Sequence, residues 1–167
     1  QNLGAIITKE AKEKIERYIQ QAVDEGATLI LDGRNPSVPG KEKGFYVGPT
    51  ILDHVTPNME IAKEEVFGPV LAIIRADSID AAVAIQKNSN YGNGAAIFTQ
   101  SGRASQYIAS QLKAGMVGVN IGIPVPREPF SFGGWDDSKF GAGDITGKSS
   151  IHFWTRLKKT TTKWNPE

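Results

Sequence analysis

The sequence predicts an α/β fold, and three observations predict it. Strand-like apolar runs at residues 70–74, 95–98 and 116–119 alternate with amphipathic stretches between them. Each amphipathic stretch opens on a capping side chain, and the last one closes on Gly115. The connections are too short for anything but sequential neighbours, so strand, helix, strand, helix, strand reads as a mainly parallel sheet wound by right-handed crossovers.

The first element is a helix over residues 9–25. Ala11, Ile15, Tyr18, Ile19, Ala22 and Val23 share one stripe, Thr8 stands at the N-cap and Gly26 at the stop. Glu10 with Lys14 and Glu13 with Arg17 have the spacing of i,i+4 ion pairs on the wet face. Residues 27–31 read as a short buried strand ending at Asp32-Gly33, and residues 35–43 as a polar Pro/Gly loop. An extended segment runs from Phe45 through Gly48-Pro49-Thr50 to Val55, followed by a helical stretch at residues 58–65. After the strand at 70–74, Asp77 or Ser78 caps a helix carrying Ile79, Ala82, Val83 and Gln86. Ser101 opens the next helix, with Ala104, Tyr107, Ile108 and Leu112 on its apolar face. Residues 121–143 keep no period, and such a long irregular segment in a compact domain is functional or disordered. Phe130, Phe132 and Trp135 argue against disorder. A helix at 149–157 and a threonine-rich, β-prone stretch at 158–164 complete the chain.

Composition narrows the chemistry. With 19 basic and 18 acidic residues in 167, a net charge of +1 disfavours nucleic acid or an anionic membrane as the main partner. There is no cysteine, so disulfides, thiolate metal sites and a thiol nucleophile are excluded from this chain. The chain starts at Gln1 with no charged-then-apolar leader, which is expected of a piece cut from a longer polypeptide. His54 and His152 are the only histidines and are not at metal-ligand spacing, so no metal site is expected.

Two motifs compete for a function. Residues 142–149, ending in Gly147-Lys148-Ser149, fit a relaxed phosphate-loop pattern, with Ala142 where the first glycine belongs. A working phosphate loop follows a buried strand, so that backbone amides converge on the phosphate, and residues 135–140 are no such strand. A glycine-rich turn before a helix is the preferred reading there. The second motif is Glu64-Glu65-Val66-Phe67-Gly68-Pro69-Val70. By default it is a solvated turn, yet it stands immediately before the first strand of the alternating pattern, where a loop can face a cleft.

This second motif resembles the Glu-Glu-x-Phe-Gly-Pro signature of NAD(P)-dependent aldehyde dehydrogenases. The resemblance continues collinearly through Gly44-Phe45-Tyr46-Val47-Gly48-Pro49-Thr50, Tyr91-Gly92, Ala95-Ala96-Ile97-Phe98-Thr99, Ala114-Gly115, Val119-Asn120 and Phe132-Gly133-Gly134-Trp135 with Lys139. Residues 123–132 and 139–144 are most similar to the CoA-acylating methylmalonate-semialdehyde dehydrogenase branch. The resemblance implies a three-layer α/β sandwich: residues 1–157 as the C-terminal part of a catalytic domain, and residues 158–167 as an oligomerisation strand.

It also implies the chemistry. In that family a cysteine thiolate attacks the aldehyde, hydride passes to NAD, and the thioester goes to CoA or to water. Nucleophile and catalytic glutamate lie upstream of the matched region, so this chain carries no catalytic residue and is expected to be inactive alone. Glu65 matches the glutamate that binds the nicotinamide ribose, Phe67 the aromatic beside the nicotinamide ring. Phe132 matches an aromatic of the aldehyde pocket, with a core phenylalanine under a loop as the equal alternative. Lys14 aligns either with a basic residue near the adenosine or simply with Glu10 as a surface partner. Asn120 and Arg127 stay open, the latter as a carboxylate ligand or a loop brace. The expected partners are a small semialdehyde and further copies of the chain in a dimer or tetramer, with neither nucleic acid nor membrane. The expected location is a bacterial cytoplasm, or the mitochondrial matrix if the source is eukaryotic. The rivals are a phosphate-loop nucleotide-binding protein using Lys148 and a non-catalytic assembly module.

Overall fold

A computed structural model describes residues 3–164. The fold divides at residue 82 into two units. In the first, α1 (Lys9–Asp24) begins where Thr8 accepts a hydrogen bond from the Ala11 N–H at 3.1 Å, as the cap spacing predicts. The helix ends at Glu25, and Gly26 follows at φ +107°. Its buried stripe is Ile15, Ile19 and Ala22. The expected ion pairs are not the ones formed. Lys9 pairs with Glu13 at 3.6 Å and Lys12 with Glu16 at 2.5 Å. Glu10 is held by the backbone and Thr8 at the helix start, which lowers its pKa, while the Lys14 ammonium lies 5.6 Å from the centre of the Tyr18 ring.

Strand β1 (Thr28–Leu31) pairs antiparallel with β2 (Thr50–Asp53), and β2 pairs parallel with β3 (Val70–Ala72), giving the order β1-β2-β3. β1 is not the buried strand that its composition suggests. It lies at the sheet edge, with Ile30 59% and Leu31 45% exposed, and only Leu29 packs on the core. The core lies under the central strand: Leu52, fully buried, packs with Ala22, Ala27, Val55, Met59 and Ile61, while Ile15, Ile19 and Val47 form an adjoining group. The helical stretch after β2 contracts to one turn, α2 (Glu60–Lys63). Its first free amide, Glu60 N–H, donates to the Glu25 carboxylate at 3.1 Å, so the residue that ends α1 also caps α2.

Asp53 closes the far end of β2. The residue is 6% exposed, and its carboxylate accepts from Arg75 Nε at 3.0 Å and Nη2 at 2.6 Å and from the His54 N–H at 2.7 Å. The guanidinium, and then the amide, hold its pKa down to about 2. A depressed carboxylate pKa stabilises the fold above the unfolded value and loses that contribution as pH falls through the folded one. The thermal midpoint is therefore expected to fall as pH drops from about 4 toward about 2. Asp53→Asn should lower the midpoint at neutral pH and flatten this acid slope. An unchanged slope would show that other carboxylates cause it.

Helix α3 (Ile79–Lys87) leads from the first unit into the second, and Ser78 is the residue that caps it, accepting from the Ala81 N–H at 3.1 Å. In the second unit β4 (Tyr91–Gly92) precedes β5 (Gly94–Ile97), α4 (Gly102–Gln111) and β6 (Met116–Val119). β5 and β6 pair in parallel, from Gly94 opposite Met116 to Ile97 opposite Val119, with α4 as the crossover capped by Ser101. The α/β class holds, but the strands are shared among three sheets. β3 joins the first sheet, β5 and β6 form their own, and β4 pairs antiparallel with β7 (Trp135–Asp136). Residues 121–134 are irregular as expected, and the helix expected over 149–157 is the shorter α5 (Ser150–Trp154). Residues 156–164 are exposed and carry no strand among the described residues, and residues 165–167 of the expected tail lie outside them, as do Gln1 and Asn2.

Candidate functional site

The loop from Glu64 to Pro69 joins α2 to β3 and is built to present two side chains. Glu64 leaves the helix with an extended backbone, φ −100° and ψ 143°. Val66 turns inward and packs against both core groups. Phe67 then takes φ +56°, a left-handed conformation that an aromatic residue adopts only under constraint. The constraint is visible on either side. Gly68 lies so close to buried Ile15 that a Cβ on it would sit 2.8 Å from Cδ1, 2.9 Å from Cγ1 and 3.0 Å from Cγ2. After it, the Val70 N–H donates to Gly68 O at 2.8 Å around Pro69, and the Thr50 N–H donates to Pro69 O at 2.9 Å, tying the loop to β2.

With Val66 anchored below and Gly68 wedged on α1, the backbone inversion throws the Phe67 ring outward, 82% exposed. Glu65 is exposed beside it, and among the described residues its carboxylate joins no hydrogen bond or ion pair. A large apolar ring and an uncommitted carboxylate are thus presented together from a fixed loop. Sequence placed both residues but not the inversion. Gly68-Pro69 was its only signal, and that pair reads equally as an ordinary turn.

In the second unit Phe132 is half-buried and lines a cavity of about 190 Å³ with Gly133, Gly134, Phe140, Ile145 and Phe153 among others. Its backbone N–H donates to Thr146 Oγ1 at 2.9 Å. The cavity holds one ion pair, Lys139 Nζ to Asp144 Oδ1 at 3.2 Å, which lowers the Asp144 pKa. Ser149 Oγ donates to the other Asp144 oxygen at 3.2 Å and lies 3.0 Å from Ser131 Oγ. Asp144, Ser131 and Ser149 had no periodic signal, because glycine-rich turns bring them together.

Of the remaining candidates, Asn120 and Lys14 have structural contacts. Asn120, at φ +57°, accepts from the Thr99 N–H and donates to Thr99 O, both at 3.0 Å, tying the ends of β5 and β6. Arg127 is exposed, with its side chain in no ion pair among the described residues. Lys14 stacks on Tyr18 rather than pairing with Glu10. The phosphate-loop reading finds no support: no strand immediately precedes residues 142–149, and the helix after them has five residues. His54 lies 3.9 Å from Asp53 Oδ2, and His152 is exposed in α5.

Comparison with known proteins supplies the context for both loops. The profile of the aldehyde dehydrogenase family matches residues 1–160. An acylating, mitochondrial methylmalonate-semialdehyde dehydrogenase of Arabidopsis thaliana is 50% identical over 163 residues, 98% of this chain and 27% of that protein. A malonate-semialdehyde dehydrogenase of Pseudomonas aeruginosa is 42% identical over 98% of this chain and 33% of its own length. A solved structure described as methylmalonate-semialdehyde dehydrogenase from Sinorhizobium meliloti, complexed with NAD, superposes with a TM-score of 0.89 at 44% identity, covering 98% of this chain and 33% of that one. The chain therefore spans about a third or less of the length of these relatives. On a family match that takes in both the Glu65–Phe67 loop and the Phe132 cavity, the chain belongs to the aldehyde dehydrogenase family.

Proposed function

We propose that this chain serves an NAD-dependent, CoA-acylating malonate- or methylmalonate-semialdehyde dehydrogenase, with Glu65 and Phe67 facing the cofactor and Phe132 in the aldehyde pocket. The observation that carries it is the inverted backbone at Phe67, which holds an apolar ring 82% exposed beside a carboxylate that joins no hydrogen bond or ion pair among the described residues. Such an arrangement costs stability on its own and is repaired by a ligand with a flat ring and neighbouring hydroxyls. The nicotinamide riboside portion of NAD has that chemistry, so the residues present fit it. When bound, NAD supplies the hydride acceptor. Glu65 offers two acceptor oxygens to a vicinal diol, a charge-assisted interaction of about 1.5–3 kcal/mol. Phe67 keeps water from one side of the reacting ring.

The chain has no cysteine, so the thiolate that attacks the aldehyde comes from outside it, and the chain alone is inactive. Residues 158–167, with their exposed run at 160–164, act as a strand completed by another copy of the chain. The enzyme works in a bacterial cytoplasm or, in a eukaryote, the mitochondrial matrix.

The test is turnover by the complete enzyme. With malonate or methylmalonate semialdehyde, NAD and CoA, it should yield NADH, carbon dioxide and acetyl- or propionyl-CoA. Formation of the free acid with no acyl-CoA would move the acyl acceptor to water. Absence of NADH with either semialdehyde would overturn the reading.

A further inference from the structure

The polar network around the Phe132 cavity is unused by the proposed function, and it is unusually concentrated for an irregular segment. Asp144 binds Lys139 through one oxygen and Ser149 through the other, and Ser149 reaches Ser131, the residue immediately before Phe132. Thr146, two residues after Asp144, takes the Phe132 N–H itself. The Asp144 carboxylate also lies directly against Gly133, the residue after Phe132, where a Cβ would collide with Oδ1. One carboxylate thus touches the phenylalanine's backbone neighbourhood on both sides, while Phe132 and Lys139 line the same cavity with it. A loop with this much glycine has no regular hydrogen bonding to fix a ring. The network replaces it.

We infer that Asp144 is a positioning residue for the aldehyde pocket: through Ser149, Ser131 and Gly133 it fixes the backbone of Phe132, and through that the ring's place in the cavity. The inference rests on the proposed role of Phe132 as a pocket residue. It differs from a purely structural role because its effect should run through Phe132 and should fall on the aldehyde rather than on the cofactor. Lys139 is paired by this same contact, so the cavity presents aromatic rings, Ile145 and glycine backbone rather than an unpaired cation.

A mutant cycle in the complete enzyme tests this, read as KM for the aldehyde and KM for NAD. Asp144→Ala should raise the aldehyde KM about tenfold, in line with a lost half-buried hydrogen-bond hub, and leave the NAD KM unchanged. Asp144→Asn, which still accepts from Ser149, should restore most of the affinity. In a Phe132→Ala background Asp144→Ala should have no further effect. Thr146→Val, nearly isosteric, provides a second probe should Asp144→Ala fold poorly, and it should raise the aldehyde KM in the same selective way. Equal rises in both KM values, or an undiminished Asp144 effect in the Phe132→Ala background, would overturn the inference alone. Phe132→Ala with an unchanged aldehyde KM would instead remove Phe132 from the pocket, and with it the reading on which the inference stands.

Discussion

Replacing Glu65 by glutamine is expected to slow hydride transfer in the complete enzyme by about 10- to 150-fold while leaving the unfolding midpoint nearly unchanged. Both halves of the expectation come from the same observation. Glu65 is exposed and makes no internal interaction among the described residues, so its charge contributes nothing to the fold that glutamine would forfeit. Glutamine keeps the length and one acceptor oxygen but loses the charge and the second acceptor, which are the features that a vicinal diol uses. Stopped-flow NADH formation gives the rate, and thermal unfolding supplies the control. A normal rate with normal NAD affinity would take Glu65 out of the site. A matching fall in stability would make it a structural residue.

The largest effect on folding should come from Leu52→Ala, with a loss of about 2–5 kcal/mol. Leu52 is fully buried at the centre of β2, opposite Leu29 in β1 and Ala72 in β3. Its carbonyl accepts from the Ile73 N–H at 2.8 Å, so the strand is held from both sides and cannot move in to fill the space. Ala22, Ala27, Val55, Met59 and Ile61 would line the void left behind. Equilibrium urea unfolding measures the loss. A change below about 1 kcal/mol would show that the helix and sheet can close over the site, contrary to the packing described.

What could be read in advance depended on how local its cause was. Helix α1 was legible because its cap, stripe and terminating glycine all lie within the helix or two residues of it. The parallel β5-α4-β6 unit was legible for the same reason. The burial of β1 was not, since apolar composition does not distinguish an edge strand from a central one. The surface ion pairs of α1 came out differently because Glu10 serves the helix start and Lys14 prefers a ring face. At the candidate site, residue identity was carried by motif, but the left-handed turn at Phe67 depends on Ile15, far back in the chain. The Asp144 network depends on tertiary closure of glycine-rich turns, for which no periodic pattern exists.

The amide of Asn120 adds one hydrogen-bonded rung beyond the ends of two strands, and a primary amide is the group that can both give and take there. Hydrolysis to aspartate would keep the acceptor for the Thr99 N–H but set a carboxylate oxygen against the Thr99 carbonyl. Loss of the amide at that one position would therefore convert a clasp into a repulsion, and the chain would fray where β5 and β6 end.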